Sequence, residues 1–376
     1  MSAPAHRPES RLTALAAGLP DSVPFVGPEA LQRRLGLTFR ARLGANESGF
    51  GPAPSVIAAL QAAAPEVWCY GDPEGHELRH AIAAHHKIPA DCVALGEGID
   101  GLLGLLVRLT VGAGEKVVMP LGGYPTFAFH VNGFGGELDL VPYVGDHEDL
   151  EAMIDRARQV QARLVYVANP DNPMGTCHPG AAIAAALNRL GPETLLVLDE
   201  AYIELAPEGT APELAPDDPR LIRLRTFSKA HGLAGLRVGY AIAAPGLVRA
   251  FDKVRNHFAL GRLAQAGAQA AVQAQDWVQH IQAEVGAARA RIGAIAANCG
   301  LRALPSATNF VAVDCGAGAA RARGIVAALA RRGVFVRMPG VFPLDRCIRI
   351  SCGPASALDV LARTLPDAVA EAVANA

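Results

Sequence analysis

The chain has 376 residues, 51% of them apolar and 19% charged, with a formal net charge of -2. That length exceeds what one hydrophobic core usually organises, so two domains, or a large domain with a smaller partner, are expected. The near-neutral balance leaves no electrostatic footprint for DNA, RNA or an anionic membrane, and the expected partner is a small molecule.

The opening MSAPAHRPES lacks a basic start followed by an apolar core, so no secretory signal is read there and a cytoplasmic location is expected. The most apolar helix candidate, Leu102 to Val111, is interrupted by Arg108 and is too short to span a bilayer. Cysteines at 69, 92, 177, 299, 315, 347 and 352 contain no Cys-x-x-Cys pair and read as reduced, mostly buried thiols.

Along the chain, His76-Glu77-Leu78-Arg79-His80 matches a zinc-protease pattern, with His86 where a third ligand would fall. The stretch reads as uninterrupted helix, and at about 100° per residue His86 leaves the face shared by His76 and His80, so a solvated helix surface is the better reading and no metal is expected. Next comes a strand candidate, Cys92 to Leu95, and then Gly96-Glu97-Gly98-Ile99-Asp100-Gly101, which spells a dinucleotide fingerprint. The following strand, Lys116 to Met119, ends in Pro120-Leu121-Gly122-Gly123 without the acidic residue that a ribose needs, which disfavours NAD. Glycines ahead of a helix still let backbone N–H groups approach a phosphate.

Further strands are read at 137–143, 163–168, 195–198, 221–226 and 237–243, with helices such as 150–162 and 181–190 between them. The fold class is therefore α/β: a mostly parallel sheet of about seven strands covered by helices. Beyond residue 255 an Ala/Gln-rich stretch runs through Ala297, followed by a strand at 309–315, a helix at 321–332 stopped by Gly333, strands at 334–338 and 347–352, and a terminal helix from Ala355. These pieces suggest a smaller α+β domain made of 1–45 plus 256–376, beside a large domain of 46–255.

Three segments carry chemistry, and each follows a strand, where α/β sheets build ligand sites. Leu195 to Tyr202 places Asp199 at the end of a buried strand, where a carboxylate can keep a pyridine nitrogen protonated. Asn169-Pro170-Asp171-Asn172-Pro173-Met174-Gly175 is a turn-rich loop whose amide can bond a phenolate oxygen. Thr226-Phe227-Ser228-Lys229, followed by a glycine-rich turn and Arg237, offers an amine for imine formation beside phosphate donors.

Taken in order, Gly96-Glu97-Gly98, Asn-Pro, Asp199-Glu200-Ala201-Tyr202 and Ser228-Lys229 with Arg237 resemble the pyridoxal 5'-phosphate (PLP)-dependent aminotransferases of fold type I, most of all the histidinol-phosphate aminotransferase group. The resemblance runs from Asn46-Glu47 to Arg349-Ile350-Ser351. It implies Lys229 as the Schiff-base lysine, Asp199 as partner of the ring nitrogen, and Asn172 and Tyr202 as donors to the ring hydroxyl oxygen. It further implies Thr226, Ser228, Arg237 and the turn Gly98-Ile99-Asp100 around the phosphate, with Tyr70 reaching across from a second subunit of a homodimer. Phe127 matches the aromatic that stacks on the ring, with Tyr124 close by. Arg349 matches the arginine that grips the substrate's acidic group, with Arg337 and Asn46 as further substrate contacts.

Departures from that group lie at Asn46-Glu47-Ser48-Gly49, Asn172-Pro173-Met174-Gly175 and the Glu97, Ile99 and Gly101 positions. The implied activity moves an amino group between an amino acid and a 2-oxo acid, with histidinol phosphate, an aromatic amino acid or another small amino acid as the open donors. A decarboxylase or lyase of the same fold would use the same Lys229 and Asp199, and a nicotinamide oxidoreductase rests on the Gly96 turn alone.

Overall fold

The computed structural model describes residues 11–21, 25–316 and 318–374; the opening ten residues, read above for a leader, lie outside them. A short β1 (Ala41–Arg42) precedes the strands of the main sheet: β2 (Val93–Gly96), β3 (Lys116–Pro120), β4 (Glu137–Val141), β5 (Leu164–Ala168), β6 (Leu195–Asp199), β7 (Leu221–Thr226) and β8 (Gly239–Ala243). Their order across the sheet is β2-β8-β7-β6-β5-β3-β4, and β8 alone runs against its neighbours.

The sheet is a packed layer because alternate residues of each strand feed opposite cores. Leu164, Tyr166 and Ala168 of β5 face a cluster with Leu102, Leu106 and Phe127, whereas Val165 and Val167 face Ile154, Ile183 and Leu196. Every residue of β5 and β8 is buried, as expected where helices cover both faces. β4 sits at the edge, and its Glu137 and Leu140 are exposed.

Helix boundaries follow local rules. The helix Leu150–Val160 starts where the Asp149 side chain accepts the Ala152 N–H and stops at Gln161 in the left-handed region. The helix Gly318–Arg331 is followed by Gly333 at φ +76°, the glycine stop read from the sequence. The Ala/Gln-rich stretch is two helices, Arg262–Gln273 and Gln275–Asn298, broken at Ala274.

A second core gathers the helices Gln275–Asn298, Gly318–Arg331 and Ala355–Ala374 over β9 (Arg302–Ala303), β10 (Phe310–Asp314) and β12 (Cys347–Ser351), with β11 (Val334–Phe335) pairing in parallel with β1. Packing does not divide at residue 255. Ala264, Ala268 and Ala271 of the helix Arg262–Gln273 share a cluster with Val93, Phe227 and Tyr240 of the main sheet, because an Ala-rich face lies close against Val56 and Ile82. Arg237 lies ahead of β8 rather than in it, at φ +51°, which turns its side chain back toward the Gly98 turn.

Candidate active site

The carboxyl ends of β5, β6 and β7 open into one cavity of about 920 Å³, roofed by residues from the second core and by Phe25 to Glu29. Lys229, Asp199, Tyr202, Asn172, Thr226, Ser228, Arg237, Ile99, Asp100, Arg349, Arg337 and Asn46 all line it. They converge because parallel strands end at one edge, where loops are free to carry polar groups.

Asp199 is 5% exposed. One oxygen accepts the Tyr166 hydroxyl at 2.7 Å and the other the Ala201 N–H at 2.9 Å. Burial pushes its carboxyl up to about 6 against the pull of those two bonds. A buried carboxylate so placed, facing a cavity with no cationic hydrogen-bond partner among the described residues, fits the protonated nitrogen of a pyridine ring.

Lys229 lies three residues past the end of β7. Its Nζ donates to the Asn46 carbonyl at 3.2 Å and lies 5.5 Å from the centre of the Tyr202 ring. Burial, then the nearby Arg349, lowers its ammonium from 10.5 to about 8, so a free amine is accessible near neutral pH. Asn46 is the node that brings these groups together. Its backbone is left-handed at φ +55°, its amide donates to the Tyr202 hydroxyl at 3.0 Å, and its Oδ1 accepts the Ser351 hydroxyl at 3.2 Å.

An anion cradle sits at the other end. Thr226 Oγ1 donates to Ser228 Oγ at 2.9 Å, and Arg237 Nη1 reaches the same oxygen at 3.3 Å. Gly98 has φ +74°, and a Cβ there would come within 2.6 Å of Arg237 Nη2. A Cβ on Gly239 would meet the Arg225 carbonyl at 2.7 Å. Both glycines thus let the helix Gly98–Thr110 present its N-terminus to the cradle, which suits a phosphate. The Gly96 fingerprint is used for this approach, with Asp100 accepting the Tyr124 hydroxyl at 2.7 Å.

On the roof, Arg349 donates to Asn172 Oδ1 and lies 5.1 Å from the Phe310 ring. Its Nε is buried without a partner. Arg337 stands over the Phe25 ring at 4.3 Å, and burial with the neighbouring Arg349 lowers it to about 10. Neither guanidinium has a carboxylate within salt-bridge reach among the described residues.

One expected residue falls elsewhere. Phe127 is fully buried and stacks on Tyr166 at 4.6 Å between ring centres, on the core side of the helix Pro125–Gly133; Tyr124, at the start of that helix, faces the cavity instead. Tyr70 is 75% exposed and stacks on Phe258 at 4.4 Å, outside this chain's cavity. His76 and His80 lie on an exposed helix face with their rings 4.0 Å apart. Tyr166 was missed because a tyrosine inside an apolar strand reads as core, and its hydroxyl finds Asp199 only through the pairing of β5 with β6.

Residues 41–365 match the family model for aminotransferase class I and II. The chain is 35% identical to histidinol-phosphate aminotransferase of Symbiobacterium thermophilum, covering 88% of this chain and 91% of that protein. It is 37% identical to histidinol-phosphate aminotransferase 2 of Ralstonia nicotianae, covering 89% and 90%. Among solved structures, histidinol-phosphate aminotransferase from Sinorhizobium meliloti in complex with pyridoxal-5'-phosphate superposes with a TM-score of 0.93 at 53% identity, over 96% of this chain and 98% of that one.

Proposed function

From a chain that belongs to the class I and II aminotransferases and uses PLP, we propose a specific reaction: transfer of the amino group of histidinol phosphate to a 2-oxo acid. The observation that carries it is the pair Arg337 and Arg349, two desolvated guanidiniums that face one cavity with no carboxylate in salt-bridge contact among the described residues. Such a pair suits a phosphate dianion in one half reaction and the carboxylates of a 2-oxo acid in the other. The names of the relatives support the same substrate.

In this reading Asp199 holds the ring nitrogen's proton, Tyr202 and the free amide N–H of Asn172 hold the ring hydroxyl oxygen, and Thr226, Ser228, Arg237 and the Gly98-Ile99-Asp100 turn hold the phosphate. Tyr124 packs on the ring face in place of Phe127. When bound, PLP supplies a ring that takes up the electron pair released at the amino-bearing carbon. The Lys229 amine, deprotonated above about 8, removes the proton from that carbon. Arg349, held by Asn172, orients the anionic end of the substrate so that this proton faces Lys229. Asn46 positions Tyr202 and Lys229 rather than touching substrate, since its side chain is engaged with Tyr202 and Ser351.

A cytoplasmic homodimer is part of the same reading. Trp68, 84% exposed, and the exposed Tyr70–Phe258 stack leave large apolar side chains on the surface, which supports burial against a second copy, where Tyr70 would reach the partner's phosphate cradle. Sedimentation of the purified protein tests this: a monomer at micromolar concentration would remove it.

Family membership displaces the nicotinamide reading of the Gly96 turn. The substrate is tested by adding histidinol phosphate, aromatic amino acids and glutamate singly to the PLP form and following conversion to the pyridoxamine form. Histidinol phosphate should convert fastest. Conversion by aromatic amino acids alone would reassign the donor, and carbon dioxide release without a 2-oxo acid would point to the decarboxylase alternative.

A further inference from the structure

Beneath the Asn169–Gly175 loop, on the side away from the cavity, two carboxyl groups are buried against each other. Glu148 and Asp171 are each 2% exposed and lie close enough for each carboxyl to act on the other. Two carboxylates in contact without solvent cannot both be charged, so one proton must lie between them. The surrounding donors are unequal. Asp171 accepts the Tyr143 hydroxyl at 2.9 Å on one oxygen and the Met174 N–H at 3.0 Å on the other. Among the described residues, Glu148 is offered only the Ala168 N–H, at 3.3 and 3.4 Å to its two oxygens.

The charges around the pair point the same way. Asp199 ends the strand beside Ala168, and its negative charge, like that of Asp171, disfavours a charged Glu148. Arg349 is the cation that acts on Asp171. His178 contacts the Glu148 backbone carbonyl through Nε2, not its carboxyl, and burial keeps its ring toward the neutral form. Arg346 is paired with Asp146 and Asp314.

We propose that Glu148 carries the shared proton and donates it in a hydrogen bond to Asp171, and that the single charge left on Asp171 is the buried counter-charge that positions Asn172 and, through it, Arg349. Burial raises both carboxyls, which agrees with a proton held within the pair, and the better donors on Asp171 place the remaining charge there. Asp171 precedes Asn172 directly, and its Met174 bond and its own N–H to the Thr176 carbonyl at 2.8 Å fix the loop from which Asn172 projects. The two acids are thus positioning residues. The proposal rests on the reading of Arg349 as the partner of the substrate's anionic end.

The proton is tested without substrate. Infrared spectra of the wild-type holoenzyme at neutral pH, unlabelled and with glutamate labelled with carbon-13 at its carboxyl, should contain an acid carbonyl band that shifts with the label and disappears in Glu148→Gln. Absence of that band overturns the proton assignment and leaves the function of Arg349 untouched. Positioning is tested by kinetics. Glu148→Gln, whose amide still donates to Asp171, should keep KM for histidinol phosphate within about twofold. Asp171→Asn should raise KM about tenfold with kcat within a factor of about two. Equal KM in both variants, or the reverse order, overturns the positioning role. Arg349→Ala is the control: if it also leaves KM unchanged, the substrate reading fails rather than the carboxyl pair.

Discussion

The floor of the cavity draws its groups from strand ends close in sequence, whereas the roof joins segments as far apart as Asn46 and Ser351, 305 residues. On the floor, Asp199, Thr226 and Ser228 are each tied by hydrogen bonds of 2.7 to 3.3 Å to backbone or neighbouring side chains. On the roof, Arg349 and Arg337 lie against aromatic rings, and Arg349 Nε has no partner. Rigid local geometry suits a cofactor that must be held the same way in every turnover. Under-satisfied cations suit an anion that enters and leaves, because binding it relieves a desolvation cost already present.

The difference predicts two kinds of loss. Lys229→Ala should lower kcat for the half reaction by about four orders of magnitude, with PLP still retained by the phosphate cradle, as read by absorbance after gel filtration. Loss of bound PLP would mean that the floor depends on one residue rather than on its network. Arg349→Ala should lower kcat/KM by about 100-fold, mostly through KM, leaving PLP bound. A loss confined to kcat would erase the distinction between floor and roof.

Smaller effects sharpen it. The amine of Lys229 lies at about 8 in the fold, so PLP uptake by the cofactor-free chain should slow about tenfold for each pH unit below that value and level off above it. Stability of the cofactor-free chain has the matching sign: between about 8 and 10.5 the unfolded chain holds the Lys229 proton that the fold has released, so stability rises with pH across that window. Thermal melts at pH 8 and 10 should move accordingly once a Lys229→Met variant is subtracted. Tyr166→Phe keeps the stack on Phe127 and removes only the 2.7 Å bond to Asp199. It should lower kcat about fivefold with unchanged KM, measured at saturating histidinol phosphate.

The floor was legible in the sequence because its signals are local. An acid ending an apolar strand, a lysine three residues past another strand end and a glycine pair before a helix each state a physical need within a few residues. Phe127 shows the limit: a residue three positions from Tyr124 is indistinguishable by pattern, and only the packing of Phe127 on Tyr166 decides which ring faces the cavity. The helix Arg262–Gln273 shows a similar limit, since an Ala-rich helix carries little information about which core will receive it, and this one packs against residues of the main sheet.

By itself, then, the sequence determined the α/β sheet, the order of its strands along the chain and the lysine, aspartate and glycine turn that the floor brings together, because strand period, helix stops and loop chemistry act over short spans. Tertiary structure alone decided that Asn46 would tie Tyr202 to Ser351, that Tyr166 would brace Asp199 and that Glu148 would meet Asp171. Those contacts depend on strand register and on which segments pack face to face. Burial, which shifts Tyr202, Tyr166, Asp199, Glu148 and Asp171 toward their neutral forms, exists only once the chain has closed around them.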